Sequence, residues 1–173
     1  SINQAVLNNL EPLLKRTQII HLSGSKDYES LSSAKSALPD DLANRYQVFS
    51  YLHEDISHAF SAADLVVCRS GASALGELPY FGLPAILVPY PHAWKYQKVN
   101  ADYLVKHQAA KIIVNEELET KLVSEINSLL DQPKLLNAMG NATKKLSKPD
   151  AAEKIAALLP LLAEKTEPKG GQG

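Results

Sequence analysis

The stretch ADLVVCRSGASALGE, residues 63–77, decides the fold of this chain of 173 residues. It contains a short apolar run at 65–68, which is typical of a buried central strand in a parallel sheet. Arg69 and the small residues after it break that run, and a helical pattern begins near Ser73. A strand that leads through a turn of small residues into a helix is the building unit of an α/β fold.

Other parts of the chain repeat this alternation of short strands and helices. Short apolar stretches predict further strands at 18–22, 85–88 and 110–114, and the alternation of apolar and polar residues predicts one at 46–51. Helical patterns predict helices at 2–16, 28–38, 56–63, 73–82, 95–106, 118–130, 134–146 and 151–162. Such an alternation indicates an α/β domain over residues 1–165, a parallel sheet with helices on both faces. The glycine-rich tail at 166–173 is expected to be disordered.

The composition excludes several classes of protein. The chain is 45% hydrophobic and 21% charged, which argues against disorder, and its net charge of −1 without a basic stripe argues against nucleic acid as a partner. Cys68 is the single cysteine, so a disulfide framework within the chain is impossible and a reducing cytosol is the expected compartment. No apolar stretch reaches the roughly 18 residues that span a bilayer.

The first candidate site lies where the strand at 65–68 gives way to a helix. Parallel sheets bind ligands beyond the carboxyl ends of their strands, and free helix N–H groups attract phosphate. Glu77 follows Ser73 by one helical turn, and a carboxylate there suits two adjacent hydroxyls, as on a ribose. Phosphate at the helix start and a carboxylate one turn later fit a nucleoside diphosphate. A tight turn beside a solvent-exposed glutamate explains the same residues, and both interpretations stay open.

The second candidate site is the stretch PYPHAWKYQKVN at 89–100. Prolines stiffen its loop, and the amides of Gln97 and Asn100 both donate and accept, which suits sugar hydroxyls. A merely polar helix face is the alternative. Arg69 suits either a phosphate or a structural ion pair, whereas Cys68, at the end of a buried strand, is expected to fill the core.

Metal and cofactor motifs are missing from the sequence. There is no Asp-x-Asp pair for a metal-bound diphosphate, no Cys/His cluster, no G-x-G-x-x-G and no Walker loop. We therefore expect neither a metal site nor a cofactor.

In order and spacing, the motifs of both segments resemble the MurG family of bacterial glycosyltransferases. The resemblance rests on the series RSGA at 69–72, Glu77, GLP at 82–84, VP at 88–89 and QKVNA at 97–101. It extends from residue 1 to about residue 162. It implies the GT-B fold, two Rossmann-like domains facing a cleft, with this chain as the C-terminal domain that binds UDP-N-acetylglucosamine.

The resemblance also implies roles for individual residues. Glu77 holds the ribose hydroxyls, residues 70–74 lie against the diphosphate, Gln97 reads the sugar hydroxyls beside Tyr96, and Leu52 lies near the uracil. The complete donor site implied in this way comprises Leu52, Arg69, Ser70, Gly71, Ala72, Ser73, Ala74, Glu77, Tyr96, Gln97 and Asn100.

An activity is implied as well. The family transfers N-acetylglucosamine to a lipid-linked muramoylpentapeptide in peptidoglycan synthesis, by an inverting reaction that needs no metal. Acceptor and general base belong to the N-terminal domain, so this chain is expected to hold no catalytic residue and to be inactive alone. The intact enzyme is expected on the cytoplasmic face of the plasma membrane, peripherally bound.

The sequence departs from the family pattern at several places. The family often has threonine at the position of Ala74 and usually His or Gln at that of Tyr96, and Pro79 interrupts the donor-site helix. A glycine-rich loop and the strand before it, expected ahead of residue 1, are absent, which leaves two neighbouring strand edges unpaired.

Three alternatives remain beside this interpretation. The chain suits a donor-binding subunit that works with a separate partner, as in split N-acetylglucosaminyl transferases. Another GT-B enzyme that uses a UDP-sugar, such as an epimerase, requires catalytic carboxylates and histidines that the sequence does not offer. The last alternative is a degenerate Rossmann-like domain without a ligand.

Overall fold

The computed structural model describes residues 2–160, and all five strands that the sequence predicts lie in that part. Each strand is three or four residues long. They are β1 (Ile19–Leu22), β2 (Tyr46–Phe49), β3 (Val66–Cys68), β4 (Ala85–Leu87) and β5 (Ala110–Ile112).

The helices follow the predicted pattern with three differences. The first predicted helix is divided at Asn9, a short α4 was not predicted, and the helix predicted at 151–162 is interrupted after Ala156. The helices are α1 (Ile2–Asn8), α2 (Leu10–Leu14), α3 (Tyr28–Ser36), α4 (Asp40–Ala43), α5 (Ile56–Ala62), α6 (Ala74–Phe81), α7 (Trp94–Lys106), α8 (Leu118–Leu130), α9 (Pro133–Lys145) and α10 (Ala151–Ala156). Short 3₁₀ turns, Pro91–Ala93 and Asn115–Glu117, precede α7 and α8. The predicted tail at 166–173 and the predicted helix end at 161–162 lie outside the described residues.

All strand pairs are parallel, as predicted, but the strands form two sheets. β1 pairs with β2, from Ile19 opposite Tyr46 to Leu22 opposite Phe49. β4 lies between β3 and β5 and pairs with both. Within the described part of the chain, no ladder joins β1 to β3. The described strands therefore form two separate parallel sheets, β1–β2 and β3–β4–β5.

The core lies on both faces of the second sheet. Successive residues of β4 point to opposite faces, so Ile86 and Val88 join one apolar cluster while Ala85 and Leu87 join the other. The first cluster also contains residues of α1, α2, β2 and α8, and it therefore packs both sheets against shared helices. The second cluster includes residues of α6 and α7, which pack on the other face of β4. Helices on both faces confirm the predicted α/β architecture.

The end of α6 fixes the route from β3 to β4. Gly82 has φ +70°, a left-handed conformation that suits glycine at a helix end. A Cβ built on Gly140 of α9 would lie 3.0 Å from the main-chain oxygen of Gly82, so the two segments approach closely. Pro79 does not end the helix, which continues to Phe81 with Pro79 buried.

Candidate functional site

The loop between β3 and α6 lies at the carboxyl edge of the sheet, where the sequence predicts a ligand. Ser70 is fully buried, whereas Ala72 and Ser73 are exposed. α6 then begins at Ala74, with Ser73 at its N-cap position. The loop thus has a buried first part and an exposed second part.

Two hydrogen bonds tie Ser70 to α7. Its Oγ donates to the main-chain oxygen of Gln97 at 2.7 Å. Its own main-chain oxygen accepts a hydrogen bond from Nδ2 of Asn100 at 3.0 Å. Asn100, predicted as part of the donor site, thus fastens the loop after β3 to the helix after β4. Because these groups are shielded from water, losing either partner is costly.

Arg69 joins the ends of three strands. Its Nη1 donates to the main-chain oxygens of Val88 and Pro89, at 3.1 and 3.3 Å, and its Nη2 donates to Oδ1 of Asn115 at 3.0 Å. The guanidinium carbon also lies 5.3 Å from the ring centre of Tyr90. Burial lowers the pKa of Arg69, yet guanidinium stays charged at neutral pH. Of the two interpretations of Arg69, the structural role fits these contacts, through neutral acceptors rather than an ion pair.

Arg69, Ser70, Asn100 and Asn115 together form what we call the frame. Each of them links segments that lie far apart in the sequence, such as Arg69 and Asn115, 46 positions apart. The frame therefore holds the segments after β3, β4 and β5 in a fixed relation.

Gly71, Ala72, Ser73 and Glu77 form a second group, which we call the rim. Within residues 2–160, no hydrogen bond has the main-chain N–H of Gly71, Ala72 or Ser73 as its donor. A Cβ built on Gly71 would meet nothing within 4 Å, so the space in front of this backbone is open. Three consecutive free amides at a helix start form a suitable site for an anion.

Glu77 lies one turn further along α6 on the same face as Ser73. Its main-chain N–H donates to the Ser73 oxygen at 2.9 Å, and its side chain is exposed. Its carboxylate is near enough to Cys68 to contribute to the raised pKa of that thiol, after burial as the main cause. The exposed carboxylate therefore belongs to the first turn of α6, directly after the free amides.

The loop after β4 holds Gln97 in a defined orientation. Oε1 of Gln97 accepts a hydrogen bond from the main-chain N–H of Tyr90 at 2.9 Å. With its oxygen held in this way, Gln97 has its amide nitrogen as the group that remains for a ligand. Tyr96, beside it on α7, is 78% exposed.

The remaining predicted residue, Leu52, lies in the loop after β2 and is half-buried. Parallel pairing places this loop at the carboxyl edge of the first sheet. No hydrogen bond among the described residues joins it to the loop after β3. The role of Leu52 beside the uracil stays a prediction.

Cys68 packs against the second core cluster, as the sequence predicts. Burial, with a smaller contribution from the Glu77 carboxylate, raises the pKa of its thiol to about 12. A thiol with this pKa is protonated at neutral pH and is a poor nucleophile.

A polar network after β1 was not predicted. Ring nitrogens of the buried His21 lie 2.8 Å from Oη of Tyr46 and 3.0 Å from Oδ1 of Asn3. Nδ2 of Asn3 donates to the main-chain oxygen of Ser23 and to Asp27. The network fastens the start of α1 to the loop after β1, and it satisfies both ring nitrogens of the buried His21.

Sequence reasoning also missed Asn115. This polar residue directly follows the predicted strand at 110–114, but it is not among the predicted donor-site residues. The same rule, applied to the fifth strand, would have placed Asn115 at the carboxyl edge.

An open groove lies at the opposite edge of the second sheet, beside the residues that precede β3 and β4. It has a volume of about 1180 Å³ and is lined by residues of α5, α6 and α9, and no predicted donor-site residue lines it. Among residues 2–160, no three His, Cys, Asp or Glu side chains are grouped closely enough to hold a metal ion. In the same part of the chain, the helices are too short or too polar to cross a bilayer.

Curated relatives resemble the chain over nearly all of its length. A protein of Roseiflexus sp. (strain RS-1) is 43% identical over 94% of the chain, and one of Thermodesulfovibrio yellowstonii is 37% identical over 89%. Both are named UDP-N-acetylglucosamine--N-acetylmuramyl-(pentapeptide) pyrophosphoryl-undecaprenol N-acetylglucosamine transferase. The chain spans only 41% and 42% of their lengths.

Solved structures and a family model agree with these relatives. MurG of Acinetobacter baumannii superposes with a TM-score of 0.75 at 28% identity, covering 91% of this chain and 46% of that one. The glycosyltransferase VinC, at 14% identity and a TM-score of 0.69, shares the fold. The model of the glycosyltransferase family 28 C-terminal domain matches residues 1–155. The chain therefore belongs to the glycosyltransferase family 28 C-terminal domain family.

Proposed function

We propose that this chain is the donor-binding half of an enzyme that transfers N-acetylglucosamine from UDP-N-acetylglucosamine to a lipid-linked muramoylpentapeptide. The names of the relatives support the proposed reaction. The match to a C-terminal domain family supports the assignment of this chain to one half of the enzyme. The observation that carries the proposal is the rim, because it offers free amides for a diphosphate and, one turn later, a carboxylate for a ribose.

The diphosphate binds in front of residues 70–74. The unbonded amides of Gly71, Ala72 and Ser73 donate to its oxygens, and the positive end of the α6 dipole adds to the attraction. Glycine at 71 leaves room for a phosphate to approach the backbone. The same amides stabilise the charge that grows on UDP as it leaves, so no metal ion takes part.

The nucleoside and the sugar extend from the diphosphate in different directions. Glu77 accepts hydrogen bonds from the two ribose hydroxyls, and the main chain at Leu52 contacts the uracil. The amide nitrogen of Gln97 donates to the sugar, with the exposed Tyr96 at the side of the pocket.

The reaction needs groups that this chain does not supply. A hydroxyl of the acceptor attacks the anomeric carbon of the donor, the bond to UDP breaks, and a general base takes the hydroxyl proton. The configuration at that carbon is inverted. We place acceptor and base in the other half of the enzyme, because the relatives are more than twice as long as the matched segment.

The same proposal accounts for the gap between the two sheets. The main-chain N–H of Val66 donates to the Pro84 oxygen, and the main-chain oxygen of Cys68 accepts from the N–H of Val88. Because main-chain groups alternate in direction along a strand, the N–H and C=O of Val67 face away from β4. One further parallel strand of the intact enzyme fills the space between β3 and β1. Amide hydrogen exchange tests this, since Val67 should exchange slowly in the intact enzyme and rapidly in this chain alone.

The acceptor also determines where in the cell the enzyme works. An undecaprenol carrier, which the names of the relatives contain, lies in a bilayer. The enzyme therefore works at the membrane surface, on the cytoplasmic side where UDP-sugars are made, and binds there peripherally through its other half.

The test is a transferase assay with UDP-N-acetylglucosamine and a lipid-linked acceptor analogue. We compare this chain with the intact protein, meaning this chain together with the acceptor half, fused or as a separate subunit. The intact protein should release UDP only when acceptor is present, and this chain alone should release none. Acceptor-dependent turnover by this chain at the rate of the intact protein would contradict the half-enzyme proposal.

A further inference from the structure

Arg69 lacks the surroundings of a phosphate ligand. Three of its hydrogen bonds go to protein oxygens, two on the main chain after β4 and one on Asn115 after β5. The side chain is partly buried, and its guanidinium faces the ring of Tyr90 at 5.3 Å. A guanidinium engaged in this way orients neighbouring segments rather than a ligand.

These contacts continue to the residue that faces the sugar. Arg69 holds the main chain at Val88 and Pro89 and the ring of Tyr90. The main-chain N–H of Tyr90 in turn donates to Oε1 of Gln97 at 2.9 Å. The position of Arg69 therefore determines where Tyr90 lies, and Tyr90 determines which end of the Gln97 amide points outward.

Asn115 anchors this series of contacts. Its Oδ1 accepts from Nη2 of Arg69 at 3.0 Å, across 46 positions of sequence. It is half-buried in the 3₁₀ turn after β5, whereas Arg69 follows β3 and Tyr90 and Gln97 follow β4. Without the Asn115 oxygen, Nη2 of Arg69 loses the hydrogen bond that orients the guanidinium toward the loop after β4.

We propose that Asn115, acting through Arg69 and Tyr90, is a positioning residue that sets the Gln97 amide and thereby the selectivity for the sugar of the donor. The inference rests on the proposed function, since it assumes that a UDP-sugar binds at the rim. It assigns no direct ligand contact to Asn115 or to Arg69. Gln97 then presents N–H donors, so the sugar atoms that it recognises are acceptors, hydroxyl or carbonyl oxygens.

The experiment is calorimetric titration of the intact protein with UDP-N-acetylglucosamine and with UDP. In Asn115→Ala, affinity for the UDP-sugar should fall about tenfold while affinity for UDP changes less than about twofold, as expected when one buried hydrogen bond is lost. Asn115→Asp keeps the acceptor oxygen and should keep the selectivity. Asn141→Ala, an exposed asparagine on α9, is the matched control and should change neither affinity.

The possible contrary results separate the two proposals. If the parent binds neither ligand, the proposed function is wrong and this inference falls with it. If the parent binds both and Asn115→Ala keeps the parental ratio of affinities, this inference alone is wrong. Equal losses for UDP and the UDP-sugar in Asn115→Ala would also overturn it, because they would place Arg69 at the diphosphate. Failure of Asn115→Asp to restore the ratio counts against it in the same way.

Discussion

The frame and the rim are adjacent in sequence but differ in almost every physical respect. Ser70 of the frame is fully buried and bonded to α7, whereas Ala72 and Ser73 of the rim are exposed, with unbonded amides. Arg69 is held by oxygens from two other segments, whereas Gly71 faces open space. One turn of chain therefore contains both the groups that fix the site and the groups that are free to bind.

This difference separates stability from binding. Changes in the frame remove contacts that exist in the free protein, so they should lower the free energy of unfolding. Changes in the rim remove contacts that only a ligand makes, so they should lower affinity and leave folding unchanged. A frame variant can also weaken sugar binding indirectly, as proposed for Asn115, but it should always lose folding stability. A rim variant that lost folding stability, or a frame variant that kept the parental free energy of unfolding, would remove the distinction.

The largest effect is expected from Arg69→Ala in the frame. It removes charged donors from the Val88 and Pro89 oxygens and from Asn115. Hydrogen bonds to charged groups contribute about 1.5–3 kcal/mol, and loss of this cluster should cost about 3 kcal/mol of unfolding free energy. Thermal unfolding of the 173-residue chain should shift down by roughly 6–12 °C. Arg16→Ala, on an exposed ion pair, is the control and should shift the midpoint by about 1 °C or less.

The second effect is expected from Glu77→Ala in the rim. Affinity of the intact protein for UDP should fall about tenfold to a hundredfold, because hydrogen bonds to a charged carboxylate are lost. The unfolding midpoint should stay that of the parent, since the side chain is exposed. Glu153→Ala on α10 is the matched control and should bind UDP normally. Parental UDP affinity in Glu77→Ala would show that the ribose lies elsewhere.

The variant Gln97→Ala tests whether Gln97 contacts the sugar or the nucleotide part of the donor. Affinity for UDP-N-acetylglucosamine should fall about tenfold, whereas that for UDP should change little, because only the sugar contact is lost. Calorimetry with both ligands measures the ratio. Losses of the same size for the two ligands would indicate that Gln97 acts on the α7 packing instead.

The smallest effects are expected from a pair of glycine substitutions. A Cβ built on Gly71 or on Gly76 meets nothing within 4 Å, so both alanine variants should fold. Gly76→Ala should stabilise α6 by about 0.5–1 kcal/mol and leave UDP affinity unchanged. Gly71→Ala should weaken UDP binding severalfold, because its Cβ occupies the approach of the phosphate. Equal UDP affinity in the two variants would show that the diphosphate does not bind at the rim.

Much of the fold could be predicted because its signals are local. Short apolar stretches and, at 46–51, the alternation of apolar and polar residues predicted all five strands, and Gly82 marked the end of α6. The short α4 and the 3₁₀ turns were missed because too few residues repeat for a helical pattern to be visible. The break at Asn9 was missed because the apolar face continues on both sides of it.

The candidate site also has one part that the sequence predicts and one part that it does not. The rim could be predicted because small residues before a helix and a carboxylate one turn later are adjacent in sequence. The frame could not, because the contact of Arg69 with Asn115 spans 46 positions and depends on the order of the strands. Asn100 was identified for a sugar contact, and its bond to the Ser70 oxygen became visible only in three dimensions.

The most direct test of the account is a titration of the intact protein and of Glu77→Ala with UDP and with 2′-deoxy-UDP. If Glu77 holds the ribose hydroxyls, the parent should bind UDP about tenfold more tightly than the deoxy ligand, the value of one charge-assisted hydrogen bond. In Glu77→Ala the two ligands should bind equally, with affinities at or below that of the parent for the deoxy ligand, because the contact with the second hydroxyl is lost as well. A parent that binds both ligands alike, or a Glu77→Ala variant that still prefers UDP tenfold, would contradict the central claim.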